Sequence, residues 1–198
     1  MTAREMKIKV FSLIEEYYPD QTLLADDQDV QYKINGAINQ IQMDLMKYKK
    51  IPAKSKKSIK KDSPTLLISS IPNFYQLNTI PNVEYEVVGD YEIKFNIEKD
   101  TDVEIYYYKL PELMDLEFQA SGSKTAEQAS AEYDESFDLE IATDLQEIMP
   151  YGVAADLLKQ DMISSYGKYF YERYLEMKNM IDSRKTTSMV TITGGVDL

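Results

Sequence analysis

Adjacent carboxylates are the side chains of this sequence that could most directly do chemistry, because glycosidases and hard-metal sites both use paired acids. The chain holds three such pairs, Glu15-Glu16, Asp26-Asp27 and Asp134-Glu135. Neighbouring residues on a helix point in different directions, and the segment 27–31 lacks the glycine and the distal glutamate of a calcium-binding loop. We therefore interpret these pairs as solvated surface residues, and we predict no catalytic residue and no metal ligand.

Cysteine and histidine are both absent from the chain. Their absence excludes thiolate nucleophiles, disulfides and the usual zinc sites, and it removes the commonest general base. The sequence also contains no glycine-rich phosphate loop, no nucleophile elbow and no HExxH motif. We predict a protein that is not an enzyme and needs no cofactor, with a carboxylate-dependent cell-wall glycosidase as the enzymatic alternative.

The charged residues are unevenly distributed along the chain. The net charge of −12 argues against a general nucleic-acid binder, since phosphate binding relies on clustered lysine and arginine. Residues 47–61 contain eight lysines and no acid, whereas residues 112–147 contain eleven acids and one lysine. Such polarity suits oriented association with another protein surface. The lysines predicted to meet an acidic partner are Lys54, Lys56, Lys57, Lys60 and Lys61; a solvated loop and a phosphate contact remain as alternatives.

Hydrophobic periodicity predicts helices at both ends of the chain. The first helix spans Thr2–Tyr18, opens with the capping box Thr2-x-x-Glu5 and ends at Pro19. A second helix spans 29–48, and we expect these two helices to pack antiparallel. Helical structure resumes near Asp138, with a second capping box at Thr143-x-x-Gln146 and a break or new start at Pro150, and a last helix spans 163–183.

Between these helices the pattern changes to short runs rich in β-branched and aromatic residues. The predicted strands are 65–70, 74–77, 83–88, 91–97 and 103–109. Gly89-Asp90 supplies a tight hairpin turn between the third and fourth runs. Strict alternation in 91–97 places Tyr91, Ile93, Phe95 and Ile97 on one buried face.

The predicted fold class is therefore α+β: a helical bundle of about four helices with an inserted antiparallel β module and an extended C-terminal tail. The predicted boundaries are 1–61 and 138–185 for the helical core, 62–112 for the β module, 113–137 for a flexible acidic segment and 186–198 for the tail. No run of about 18 apolar residues occurs, so we expect no membrane contact.

The tail contains a segment with strand chemistry but no neighbouring strand in sequence. Such a segment needs a sheet edge, in its own β module or in another subunit, and our hypothesis is a neighbouring chain. The residues predicted to pair in this way are Met189, Val190, Thr191, Ile192 and Thr193.

Tyrosine is unusually frequent, with 16 residues in the chain. Tyrosine is enriched at subunit interfaces because it combines apolar area with a polar tip. In the triplet 106–108, Tyr107 must face opposite to its two neighbours, so both faces of that strand carry an aromatic ring. We predict that Tyr107, Tyr151 and Tyr174 contact a partner protein.

Three stretches of the C-terminal third resemble the head-to-tail adaptor, or connector, proteins of tailed bacteriophages. They are Leu145–Leu158 with its Pro-Tyr-Gly-Val-Ala-Ala start, Tyr169–Lys178 with its Arg-Tyr-Leu-Glu-Met run, and Ile192–Asp197. The order of two helices, a β insertion and two further helices also looks like that of the larger adaptors of short-tailed phages.

The resemblance implies a homo-oligomeric ring, commonly of twelve subunits, in the virion neck between the portal protein and the tail proteins. It implies that DNA passes through the ring without specific binding, that Arg173 belongs to an interface, and that the chain is made in the host cytoplasm. An acidic lumen would suit this role because it repels phosphate. A tail-completion or stopper protein of the virion is the alternative.

Overall fold

The computed structural model describes residues 1–14, 28–115, 134–160 and 165–185, and within them the fold is α+β with antiparallel sheets. The helices are α1 (Ala3–Leu13), α2 (Gln28–Leu45), α3 (Thr143–Gln146), α4 (Met149–Leu157) and α5 (Ser165–Lys185). The strands are β1 (Ile51–Ile59), β2 (Thr65–Leu67), β3 (Phe74–Thr79), β4 (Glu84–Val88), β5 (Glu92–Asn96) and β6 (Thr101–Lys109). No helix in these ranges is long and apolar enough to cross a membrane.

The predicted start of α1 is confirmed. The Thr2 hydroxyl accepts a hydrogen bond from the Glu5 backbone N–H at 3.2 Å, and the Glu5 carboxylate accepts one from the Thr2 N–H at 3.0 Å. This reciprocal pair satisfies two of the backbone donors that a helix N-terminus leaves open. The predicted helix end at Pro19 lies outside the described residues.

The second predicted capping box is wrong. α3 has Ala142 at its N-cap, and the Gln146 amide instead donates to the carbonyl oxygens of Leu139 at 3.0 Å and Ile141 at 2.8 Å. Asp138 itself forms an antiparallel bridge with Thr2, and helical residues lie on both sides of it, at 134–136 and from Thr143 onward. Pro150 does start a new helix, because it lies in the first turn of α4 where no backbone donor is needed.

The helical part of the molecule is organised around α4, on which α1, α2 and α5 all pack. The predicted apolar stripe of α2 is buried there at Ile34, Ala37, Ile38, Ile41 and Leu45. α1 and α2 thus share α4 as their main packing partner, whereas the sequence predicted a packed pair of the two.

The β strands form two three-stranded antiparallel sheets, ordered β1-β6-β3 and β2-β5-β4, which share one apolar core. All five predicted runs contain a strand, but the first is a strand only over Thr65–Leu67, and Ile68–Ser70 form a 3-10 helix. β1 was missed: the lysine-rich segment is a strand that pairs with β6 along its whole length, from Ile51 opposite Lys109 to Ile59 opposite Thr101. The solvated loop that was one alternative for this segment is therefore wrong, and the paired strands of the β module begin at residue 51, before the predicted boundary at residue 62.

The β4–β5 hairpin confirms the predicted turn, with Gly89 at φ +60°. Ile93 and Phe95 are buried as the alternation predicted, but Tyr91 is exposed. Its predicted burial is wrong because β5 begins only at Glu92, so Tyr91 still belongs to the turn.

The two ends of the predicted flexible segment 113–137 are fixed in the structure. Asn39 exchanges two hydrogen bonds of 2.8 Å with the backbone of Met114, and the Ala3 N–H donates to the Phe137 carbonyl at 2.8 Å. Asp134 and Phe137 are buried, so the expectation of flexibility is wrong at both ends. Residues 116–133, and the tail 186–198 with its predicted pairing strand, lie outside the described residues.

Candidate protein interfaces

β1 presents two of the predicted interface lysines on the outer face of its sheet. Lys54 lies opposite Tyr106 and Lys56 opposite Glu104. The Lys54 Nζ is 2.8 Å from the Glu104 carboxylate and 5.3 Å from the centre of the Tyr106 ring, while the Lys56 Nζ is 3.4 Å from Glu104. The hydrogen bond that the Lys54 ammonium donates to the Glu104 carboxylate raises the pKa of Lys54. Both lysines remain exposed to solvent, so this face can meet another charged surface.

The other three predicted lysines do not join this face. The Lys57 ammonium donates to the Ser70 carbonyl at 2.8 Å. Lys60 and Lys61 lie in the turn after β1, where the Lys60 carbonyl accepts from the Ser63 N–H and the Lys61 N–H donates to Asp100 at 2.9 Å. The five lysines therefore divide between a strand face and a turn, and they do not form one basic patch.

Two of the predicted interface tyrosines lie in the interior of this chain. Tyr107 stacks on Phe74 at 5.8 Å and donates its hydroxyl to the Pro72 carbonyl at 3.1 Å. Tyr174 is buried between α5 and the rest of the helical core. Both side chains are enclosed by intrachain contacts, so the prediction that they meet a partner is wrong. The opposed facing of Tyr107 relative to Tyr106 is confirmed.

The structure brings Tyr151 and Arg173 together on the surface of α4 and α5. The rings of Tyr151 and Tyr169 lie 6.5 Å and 5.5 Å from the ring of Phe170, so Phe170 connects the two tyrosines. Tyr169 is 57% exposed, and Arg173 follows it by one helical turn and bonds Glu176 at 3.0 Å. This hydrogen bond with Glu176 raises the pKa of Arg173, to which Tyr151 and Tyr169 add smaller contributions.

Met180 continues the same exposed flank of α5. We call Tyr151, Tyr169, Arg173 and Met180 the α5 patch. Tyr169 and Met180 were missed in the sequence analysis, although positions 169, 173, 176 and 180 repeat every three or four residues and therefore share one helix face.

A groove of about 740 Å³ lies between α2, α4 and α5. Inside it, one oxygen of Asp44 accepts hydrogen bonds from the Tyr174 hydroxyl at 2.7 Å and the Lys178 ammonium at 2.6 Å. Burial favours a higher pKa for Asp44, but these two hydrogen bonds outweigh it and the pKa lies below its usual value. A general acid needs the opposite shift, so Asp44 serves as a structural acceptor.

Asp44→Asn is expected to lower the free energy of unfolding by about 1 kcal/mol near neutral pH, a modest loss because Asp44 and Lys178 are partly solvated. The folded-state pKa of Asp44 lies below the ordinary 3.8, so its contribution is complete above that value and is lost as the pH falls through the lowered pKa. Urea unfolding of the wild-type chain and the variant at pH 7 and pH 3 measures the difference between their free energies of unfolding, which we expect to be smaller at pH 3.

Asp156→Asn is the matched control, because Asp156 lies on the same groove with its carboxylate 3.8 Å from Lys159. We expect little change from it. An equal loss from both variants would show that Asp44 has no special structural role.

No family model matches the sequence, and a comparison with curated proteins gives no match. Within the described ranges, no group of three or more His, Cys, Asp or Glu residues is placed to hold a metal ion.

Proposed function

We propose that this chain is a structural subunit of a phage virion, an adaptor that forms a ring between the capsid portal and the tail. The ring would contain about twelve copies, would offer a platform for tail proteins and would let DNA pass. In this proposal α1, α2, α4 and α5 form a helical bundle that carries the β module, and the tail 186–198 extends to a neighbouring chain.

The α5 patch is the observation that carries this proposal. Tyrosine, methionine and arginine are the side chains enriched in the centres of protein interfaces, and an arginine flanked by tyrosines is typical of an interface hot spot. The patch is exposed on a helix whose other face already fills the core with Phe170 and Tyr174. Three of its four residues, Tyr151, Tyr169 and Arg173, also lie in the stretches Leu145–Leu158 and Tyr169–Lys178 that resemble adaptor proteins.

The charge of the chain supports the DNA-passage part of the proposal. A net charge of −12 repels phosphate, and a lumen lined by such subunits would keep DNA from sticking. The outer-face lysines of β1 are already paired with Glu104, which suits a protein contact better than phosphate binding.

The solution mass of the purified chain, alone and mixed with portal-bearing capsids, tests the proposal. We expect a ring in one or both conditions. Tyr169→Ala combined with Arg173→Ala should weaken the association about tenfold or more, because interface hot spots carry most of the binding energy. Glu172→Ala, an exposed change on another flank of α5, should have little effect.

A monomer that ignores the capsids would contradict the proposal. Retention by isolated tails and not by portal-bearing capsids would indicate the stopper or tail-completion alternative. Turnover of peptidoglycan would indicate the glycosidase.

A further inference from the structure

β1 and β4 are edge strands, one in each sheet of the β module. β1 pairs only with β6 and β4 only with β5 among the described strands, so each has one side that no described strand pairs with. Unpaired edges are templates for strand addition from another chain. The other two edges are less suitable, because β2 has three residues and β3 is interrupted by register shifts.

The two edges carry opposite charges at the same spacing. On β1, Lys54 and Lys56 point to the outer face. On β4, Glu84 and Glu86 point to the outer face of the other sheet, opposite Asn96 and Lys94 of β5. Both pairs are two residues apart, so a single register can bring each lysine opposite a glutamate.

We propose that β1 of one copy pairs antiparallel with β4 of the next copy, with Lys54 opposite Glu86 and Lys56 opposite Glu84. This inference rests on the proposed ring and names the contact that would join the β modules of neighbouring copies. Because the two edges differ, the contact is heterologous: each copy offers β1 on one side and β4 on the other, an arrangement that generates a ring when the rotation between copies closes.

The same register matches the apolar residues of the two strands. It places Val87 opposite Ala53 on the inner face and Val88 opposite Pro52 on the outer face. Val87 and Val88 are 46% and 42% exposed in the single chain, although both lie on a strand. A neighbouring β1 would cover both valines. Pro52, which lacks a backbone N–H, is tolerated at a sheet edge.

A disulfide test examines this register directly, because the chain has no cysteine of its own. Two single variants, Lys56→Cys and Glu84→Cys, are mixed at a concentration where the wild-type chain is assembled and are oxidised mildly. Directly opposed residues on paired strands bring their Cβ atoms within about 4.5–5.5 Å, close to disulfide range. We expect the mixed disulfide to form at least about tenfold faster than with Lys94→Cys in place of Glu84→Cys. Lys94 is the matched control because it is exposed on the same outer face but lies on the central strand.

Charge reversal gives a second readout. Lys54→Glu with Lys56→Glu should raise the concentration for half-assembly about tenfold, and Glu84→Lys with Glu86→Lys should do the same, because like charges then oppose each other. All four substitutions in one chain should restore assembly. A wild-type ring with no selective disulfide and no charge-reversal effect would overturn the edge pairing and leave the ring standing. A wild-type chain that stays monomeric, alone and on capsids, would overturn both.

Discussion

Replacing Lys7 with methionine is expected to lower the free energy of unfolding by about 3–5 kcal/mol. The Lys7 Nζ lies 2.6 Å from the Asp134 carboxylate, and the two side chains are only 0% and 3% exposed. Methionine fills a similar volume but leaves the buried carboxylate without its counter-charge, and an uncompensated buried charge is strongly destabilising. Urea unfolding at pH 7, followed by circular dichroism, measures the loss.

The pH dependence of this variant follows from the environment of the pair. Burial lowers the pKa of Lys7 and raises the pKa of Asp134, in each case against the attraction of the partner. Without Lys7, the pKa of Asp134 must rise further, so the folded variant takes up a proton more readily than the unfolded chain. Its stability therefore increases as the pH falls toward the ordinary pKa of 3.8, and the difference from wild type narrows.

Two controls separate the buried charge from other causes. Lys7→Met combined with Asp134→Leu should recover most of the stability, because an apolar pair of similar volume can replace a buried ion pair at little cost. Arg4→Met, which breaks the neighbouring exposed pair with Glu135, should cost at most about 1 kcal/mol. A small loss from Lys7→Met alone would show that solvent reaches the pair.

Asp134 is buried and does not lie on a solvated surface as its sequence context predicts, and the signal for this burial is on α1. Lys7 lies four residues after Ala3 and three and four residues before Val10 and Phe11, all of which are buried. Its position in the helical repeat therefore predicts burial, whereas its charge favours exposure. Periodicity identifies the buried lysine but not its partner, because Asp134 is 127 residues away.

The separation in sequence between contacting residues also explains which elements of the fold were predicted. The Thr2 capping box and the Gly89 turn depend on contacts between residues close in sequence, so their residue types are sufficient evidence. β1 depends on β6, about fifty residues further along the chain. Ser55 and Lys57 interrupt the apolar inner face that Ile51, Ala53 and Ile59 would otherwise mark. Its strand structure is a tertiary effect, as β propensity commonly is.

The number of tyrosines in the sequence does not show which of them lie at an interface. Tyr151 and Arg173 reach one exposed patch, but Tyr107 and Tyr174 are enclosed because their hydroxyls find acceptors at Pro72 and Asp44. Composition indicates that tyrosines need partners for their hydroxyls without showing whether these lie within the chain. The strand pairing predicted for Met189–Thr193 stays a prediction.

Gly152→Val is expected to lower the free energy of unfolding by about 3 kcal/mol, the upper part of the usual range for overpacking a core. Gly152 lies on α4 where α2 and α5 meet. A Cβ atom there would lie 2.9 Å from Cε2 of Tyr174 and 3.0 Å from Cδ1 of Ile41, closer than side-chain carbons ordinarily approach. The Tyr174 ring cannot easily withdraw, because its hydroxyl is held by Asp44 at 2.7 Å.

Gly152→Ala separates the steric effect from helix propensity. Alanine should gain about 1 kcal/mol from its better propensity, so its net loss is expected to be smaller than that of valine. A Tyr174→Ala chain lacks the ring that the new methyl group would meet at 2.9 Å and keeps only the Ile41 contact at 3.0 Å, so in that background Gly152→Ala should cost less than in the wild-type chain. Chemical unfolding of the four proteins measures the coupling. If the losses of the two single variants simply added in the double variant, the close approach of α4 and α5 would not depend on the absence of a side chain at position 152.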